Sequence, residues 1–143
     1  MPESAEYSIE KVTGIIKGEL VSMANPGLLV KQIVVDSRKL VTPENSTFFA
    51  LTTKRNNGHK YIEELYDKGV RNFIISEIPV NLSKYNLANF IRVNNTLQAL
   101  QSLAAFHRKK FSLPVIGITG SNGKTIIKEW LFQLMFEDKR IVR

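Results

Sequence analysis

The chain of 143 residues contains no cysteine. That absence removes disulfides, thiolate metal sites and cysteine nucleophiles, and it leans toward a reducing compartment. No run of about 18 apolar residues exists, and Met1 to Glu10 lacks the basic-then-apolar order of a signal peptide. The expectation is a soluble, cytoplasmic protein with no membrane insertion. Internal repeats and low-complexity segments are also missing. What is present is ordinary for a globular fold: 43% of residues are hydrophobic, enough for a real core.

The net charge of +7 is unevenly spread. Residues 1–95 hold 12 Lys/Arg against 10 Asp/Glu, whereas residues 96–143 hold 8 against 3. Cations in the second stretch would attract a polyanionic ligand. The densest run, Arg108-Lys109-Lys110, falls at an expected helix end, where cations complement the helix dipole. No aromatic residues alternate with it as in a single-strand stacking platform. A basic nucleic-acid module is therefore the weaker alternative, and no nucleic-acid partner is expected.

Strands and helices alternate along the chain, which implies an α/β architecture. Ser8 is placed to cap a helix bearing Ile9, Val12, Ile15 and Ile16 and ending near Gly18. Strands are expected over 31–36, 47–51, 73–75 and 90–93, from their β-branched and aromatic content. A helix over 60–68 stops at Gly69, and another runs from Asn95 or Thr96 to about Phe111. Val115-Ile116-Gly117-Ile118-Thr119 reads as a strand buried on both faces. A helix follows over 124–136, and Lys139-Arg140-Ile141-Val142 looks like the start of a further strand. On that helix Trp130 and the pair Phe132 and Phe136 are read as packing residues.

Between the apolar run and the helix stands Thr119-Gly120-Ser121-Asn122-Gly123-Lys124-Thr125. Glycines let successive backbone N–H groups turn toward one point, and a helix N-terminus adds partial positive charge. A lysine and a hydroxyl at the helix start suit the terminal phosphates and Mg²⁺ of ATP. The spacing Gly-x-x-Gly-Lys-Thr is shorter than the usual phosphate-loop pattern, whose first glycine would fall on Ile118. An ordinary glycine turn with a solvated lysine is the plainer alternative. An unrelated phosphate-loop kinase or NTPase fragment is another.

This loop is similar to the shortened ATP loop of the Mur ligases, which build the peptide stem of bacterial cell-wall precursors. A second match lies upstream in Asp36-Ser37-Arg38, Phe48-Phe49-Ala50-Leu51 and Asn57-Gly58-His59-Lys60-Tyr61-Ile62. Asn57 stands where the family more often has Asp, and Thr125-Ile126-Ile127 departs from its usual Thr-rich continuation. Lys128-Glu129 is closest to the branch that adds D-alanyl-D-alanine, some members of which are fused to an alanine racemase. The resemblance runs from Ser8 onward.

The resemblance implies a small N-terminal α/β domain for a UDP-linked substrate, over 1–94, and the truncated start of a parallel-sheet ATPase domain, over 95–143. It implies ATP and Mg²⁺ as cofactors, a UDP-MurNAc-peptide and D-Ala-D-Ala as substrates, and further polypeptide beyond Arg143. Thr119 to Thr125 would hold ATP, with Lys124 on the transferring phosphate and Thr125 on Mg²⁺. Asp36, Ser37, Arg38, Asn57, Gly58 and His59 would line the UDP-sugar site. From the residues alone, each of these groups also reads as local capping of turns. These 143 residues by themselves are expected not to catalyse ligation. Another step of the same pathway, or a binding domain that keeps only the UDP-sugar site, remains open.

Overall fold

The computed structural model describes residues 6–139 and 141. They form two compact units, Met1–Phe111 and Ser112–Arg143.

The first unit is a sheet with helices on both faces. Helix α1 (Ile9–Ile16) starts where Ser8 Oγ accepts the Lys11 N–H at 3.2 Å, and it ends with Lys17 in the left-handed conformation at φ 52°. Strand β2 (Glu19–Ser22) follows at once, because Gly18 lets the chain lie against the sheet. A Cβ at Gly18 would come within 2.4 Å of Ile91 Cγ2. Strands β4 (Gln32–Val34), β5 (Ser46–Phe49), β6 (Asn72–Ile75) and β7 (Asn89–Arg92) pair in parallel in that order. The edge strand β2 runs antiparallel to β7. Two short strands, β1 (Tyr7–Ser8) and β3 (Leu29–Val30), make a separate antiparallel pair.

Each strand feeds alternate side chains to opposite faces. Phe49, Ile74 and Ile91 face α1 and α3 (Thr96–Arg108), where Ile9, Val12, Ala99 and Leu103 complete one core. Phe48, Phe73, Ile75 and Phe90 face α2 (Ile62–Asp67), where Ile62, Leu65, Val70 and Tyr85 complete the other. Phe73 and Phe90 stack at 5.0 Å between ring centroids. Such a residue contributes about 1.5–3 kcal/mol when fully buried. Helix α2 closes with the double reverse bond that Gly69 permits at φ 102°. Gly69 N–H reaches Tyr66 O at 3.0 Å, and Val70 N–H reaches Leu65 O at 2.9 Å.

One row across the first core is polar. Thr47, Asn72 and Asn89 stand side by side in register and are fully or almost fully buried. Asn89 Nδ2 donates to Asn72 Oδ1 and to Asn25 O, both at 2.8 Å, while its Oδ1 accepts Asn25 N–H at 2.9 Å. Thr47 Oγ1 and Asn72 Nδ2 have no partner among the described residues.

The α/β class agrees with the sequence reading, and the parallel strands lie in the first unit rather than in residues 95–143, where a parallel sheet was expected. The first compact unit extends to Phe111. Helix α3, expected to open the second domain, packs on α1, and Thr96 Oγ1 donates to Ala50 O at 3.1 Å. Of the two expected caps, Asn95 and Thr96, it is Asn95 that serves, its Oδ1 accepting Gln98 N–H at 3.0 Å.

In the second unit, α4 (Lys124–Met135) forms, but Val115 to Thr119 is not a strand. A strand needs a neighbour to take its backbone hydrogen bonds, and the described residues of this unit offer none. Val115 and Ile116 are accordingly 74% and 60% exposed. Trp130, expected to pack, is 63% exposed for the same reason, although Phe132 and Phe136 do stack at 5.8 Å. Of the expected strand Lys139 to Val142, Arg140 and Val142 lie outside the described residues, and Lys139 and Ile141 are not in a strand.

Candidate functional site

The parallel strands of the first unit all end on one side, and the loops there carry the upstream motifs. Ligands of open α/β sheets bind outside the carboxyl ends of the strands. Asp36 follows β4 and caps the turn Ser37–Lys39, its Oδ1 accepting Arg38 N–H at 3.1 Å. The Arg38 guanidinium then grips both carboxylate oxygens, Nε to Oδ1 at 2.9 Å and Nη2 to Oδ2 at 2.8 Å. Those bonds hold the Asp36 carboxyl down at about 2 and raise Arg38. Ser37, between them in sequence, is buried. Arg38 thus meets any anion already paired, with its side chain 86% exposed.

The loop after β5 turns back on itself. Asn57 and Thr52 form a bridge, and Gly58 N–H donates to Leu51 O at 2.8 Å. A Cβ at Gly58 would lie 2.8 Å from both Leu51 N and Leu51 O, so backbone passes where a side chain would stand. Asn57 Oδ1 accepts His59 N–H at 2.9 Å and sits 2.7 Å from His59 Nδ1. The other ring nitrogen, Nε2, accepts Ser76 N–H at 3.0 Å and Glu77 N–H at 3.2 Å. Nε2 is therefore the acceptor and Nδ1 carries the proton. Burial lowers the pKa of His59, and the Glu77 charge opposes that shift. Nothing in the sequence marks Ser76 and Glu77 beyond their position, directly after an apolar strand.

The structure brings Asn57, Gly58 and His59 together as a joint between two loops. Lys54 and Arg55 lie on the exposed tip between Thr52 and Asn57.

In the second unit, Gly120 (φ 144°) and Gly123 (φ 78°) both take conformations that favour glycine. Gly123 opens α4 with no side-chain cap, so the first helical N–H groups have no intrahelical acceptor. Lys124 folds back over the loop, its Nζ donating to Gly120 O and lying 3.5 Å from Ser121 O. Thr125 follows on the first turn of the helix. Unpaired amides, a helix N-terminus and an amine share one small loop, and that set fits a phosphate group.

Two grooves, of about 610 and 490 Å³, lie along α3 and contain none of these residues. No cluster of three or more His, Asp or Glu suited to a metal occurs among the described residues. No helix among them is long and apolar enough to cross a membrane.

No family model matches the chain. It is 34% identical over 142 residues to the UDP-N-acetylmuramoyl-tripeptide--D-alanyl-D-alanine ligase of Treponema pallidum, covering 94% of this chain and 30% of that protein. The Bacillus subtilis ligase of the same name is 28% identical over 134 residues, with 94% and 28% covered. The UDP-N-acetylmuramoyl-L-alanyl-D-glutamate--2,6-diaminopimelate ligase of Clostridium tetani is 35% identical over 98 residues, covering 67% of this chain and 20% of that protein. A crystal structure of MurF from Acinetobacter baumannii superposes with a TM-score of 0.78 at 25% identity, over 93% of this chain and 28% of that one. MurF from Thermotoga maritima in complex with ADP does so with a TM-score of 0.63 at 28% identity, over 79% and 25%. The chain thus spans less than a third of the length of these relatives.

Proposed function

We propose that this chain, a relative of the MurF ligases along most of its length, is part of an ATP-dependent ligase joining D-alanyl-D-alanine to a UDP-MurNAc-tripeptide in the cytoplasm. In this reading residues 36–38 and 57–59 serve the UDP-sugar, and Thr119 to Thr125 serve ATP. The observation that carries it is the phosphate-ready loop at the start of α4, where Gly123 turns the chain and Lys124 overhangs it.

A carboxylate is a poor acyl donor, since its leaving group would be oxide or hydroxide. ATP with Mg²⁺ supplies the phosphoryl group that converts such a carboxylate into a reactive acyl phosphate. Lys124 exchanges its loop carbonyls for phosphate oxygens and offsets their charge, and the free amides of the helix start add donors. The Thr125 hydroxyl, on the first turn of the helix, would ligate Mg²⁺. Arg38 offers its fork to a diphosphate while Asp36 fixes its direction.

Calorimetry tests both halves. Mg·ATP should bind the chain, and Lys124→Ala should weaken that binding by about tenfold or more, the loss of one charge-assisted contact. UDP-MurNAc-tripeptide should bind independently of Lys124 and lose affinity in Arg38→Ala. Absence of Mg·ATP binding, or binding indifferent to Lys124, would remove the ligase reading. A second reading, addition of a single amino acid at another step, is favoured by the Clostridium tetani relative. Comparing a UDP-MurNAc-dipeptide with the tripeptide separates the two.

A further inference from the structure

We infer that a neutral His59 is the positioning residue of the sheet's carboxyl edge: it holds the loop after β5 to the end of β6, and protonating its ring opens that joint. The ligand it positions is the UDP-sugar, so this part of the inference rests on the reading above.

The geometry argues for it from both ring nitrogens. Nε2 receives two backbone N–H groups, from Ser76 and Glu77, with the Ser76 hydroxyl at 3.5 Å and no charged partner. An imidazolium has a hydrogen at Nε2, which would point at those two donors. Both bonds must break when the ring is charged. At the other side Asn57 Oδ1 accepts from Nδ1, fixing the tautomer without supplying a negative charge. A carboxylate at position 57 would favour the imidazolium and work against the Ser76 and Glu77 bonds. Glu77 is the charged group on β6's side that acts on the ring, and it also favours protonation. Lys60 neighbours the ring along its own turn.

The joint matters because it anchors a loop that is rigid at its base. Gly58 locks to Leu51, and Asn57 bridges to Thr52, so the basic tip at Lys54-Arg55 and the turn reaching Tyr61 move with His59. Opening the joint therefore alters the spacing of cations around the mouth of the site.

The sign follows from the lowered pKa. The folded state binds fewer protons than the unfolded chain below the ordinary histidine value of 6.5. The contribution of His59 is complete above that value and is lost as pH falls through the lower folded value.

The test uses the whole chain, labelled for imidazole and amide NMR, with UDP-MurNAc-tripeptide titrated in parallel between about pH 8 and pH 5. The expected result is an Nδ1–H tautomer at the upper end, and Ser76 and Glu77 amides that shift with the His59 midpoint. Ligand affinity should fall about tenfold across the range, as when the His59 midpoints with and without ligand lie about one pH unit apart. His59→Gln, whose amide oxygen can accept the same two N–H groups, should bind well and lose that pH dependence. His59→Ala should bind weakly throughout, and Asn57→Asp should raise the midpoint. The opposite tautomer, or amides indifferent to the His59 titration, overturns the proposal. So does affinity unaffected by pH and by His59→Ala. If His59→Ala does not fold, the wild-type titration and His59→Gln still decide. If no variant binds the UDP-sugar, the amide titration decides the joint alone, and it is the ligand reading that fails.

Discussion

Phe73-Ile74-Ile75 and Val115-Ile116-Gly117-Ile118-Thr119 look alike as sequence, yet the first is fully buried and the second lies open. Both are apolar runs next to a helix. The difference is the number of neighbours. β6 has a strand on each side and a helix layer on each face. The later run has no strand beside it among the described residues, and α4 exposes Ile126, Ile127 and Trp130. Hydrophobicity proposes a strand, and pairing with other elements decides it.

Substitutions can break that comparison in order of size. Phe73→Ala should cost the chain about 3–5 kcal/mol in urea unfolding, the usual loss for an emptied core aromatic. Gly58→Ala should cost about 1–3 kcal/mol, since the new Cβ meets backbone rather than a yielding side chain. Asn95→Ala removes one cap bond and should cost about 1 kcal/mol. Trp130→Ala should stay within about 0.5 kcal/mol in this chain, as for other exposed sites. A Trp130→Ala loss as large as that of Phe73→Ala would mean the second unit has a core, contrary to the comparison.

The first unit was legible because its local signals agree with its packing. Ser8, Asn95 and Gly69 are caps in the structure as in the sequence reading. The four parallel strands fell where β-branched and aromatic residues cluster. What escaped was the edge: β2 has mixed burial, and β1 and β3 are two residues each, too short for a periodic pattern. At the site, the glycine turns at Gly120 and Gly123 and the helix start at Lys124 could be read from residue types and order. The His59 joint could not, since its partners are backbone N–H groups that have no residue identity.

The buried amides at the start of β6 and β7 have a consequence for how the sheet assembles. Asn72 and Asn89 meet only when those strands align as observed. A slip of two residues would keep every side chain on its own face but part the two amides, setting Asn72 against Ile91 or Asn89 against Ile74. Each stranded polar group would cost about 1–3 kcal/mol. The row therefore acts as a keyway, giving up some stability so that parallel strands of interchangeable apolar residues lock in a single alignment.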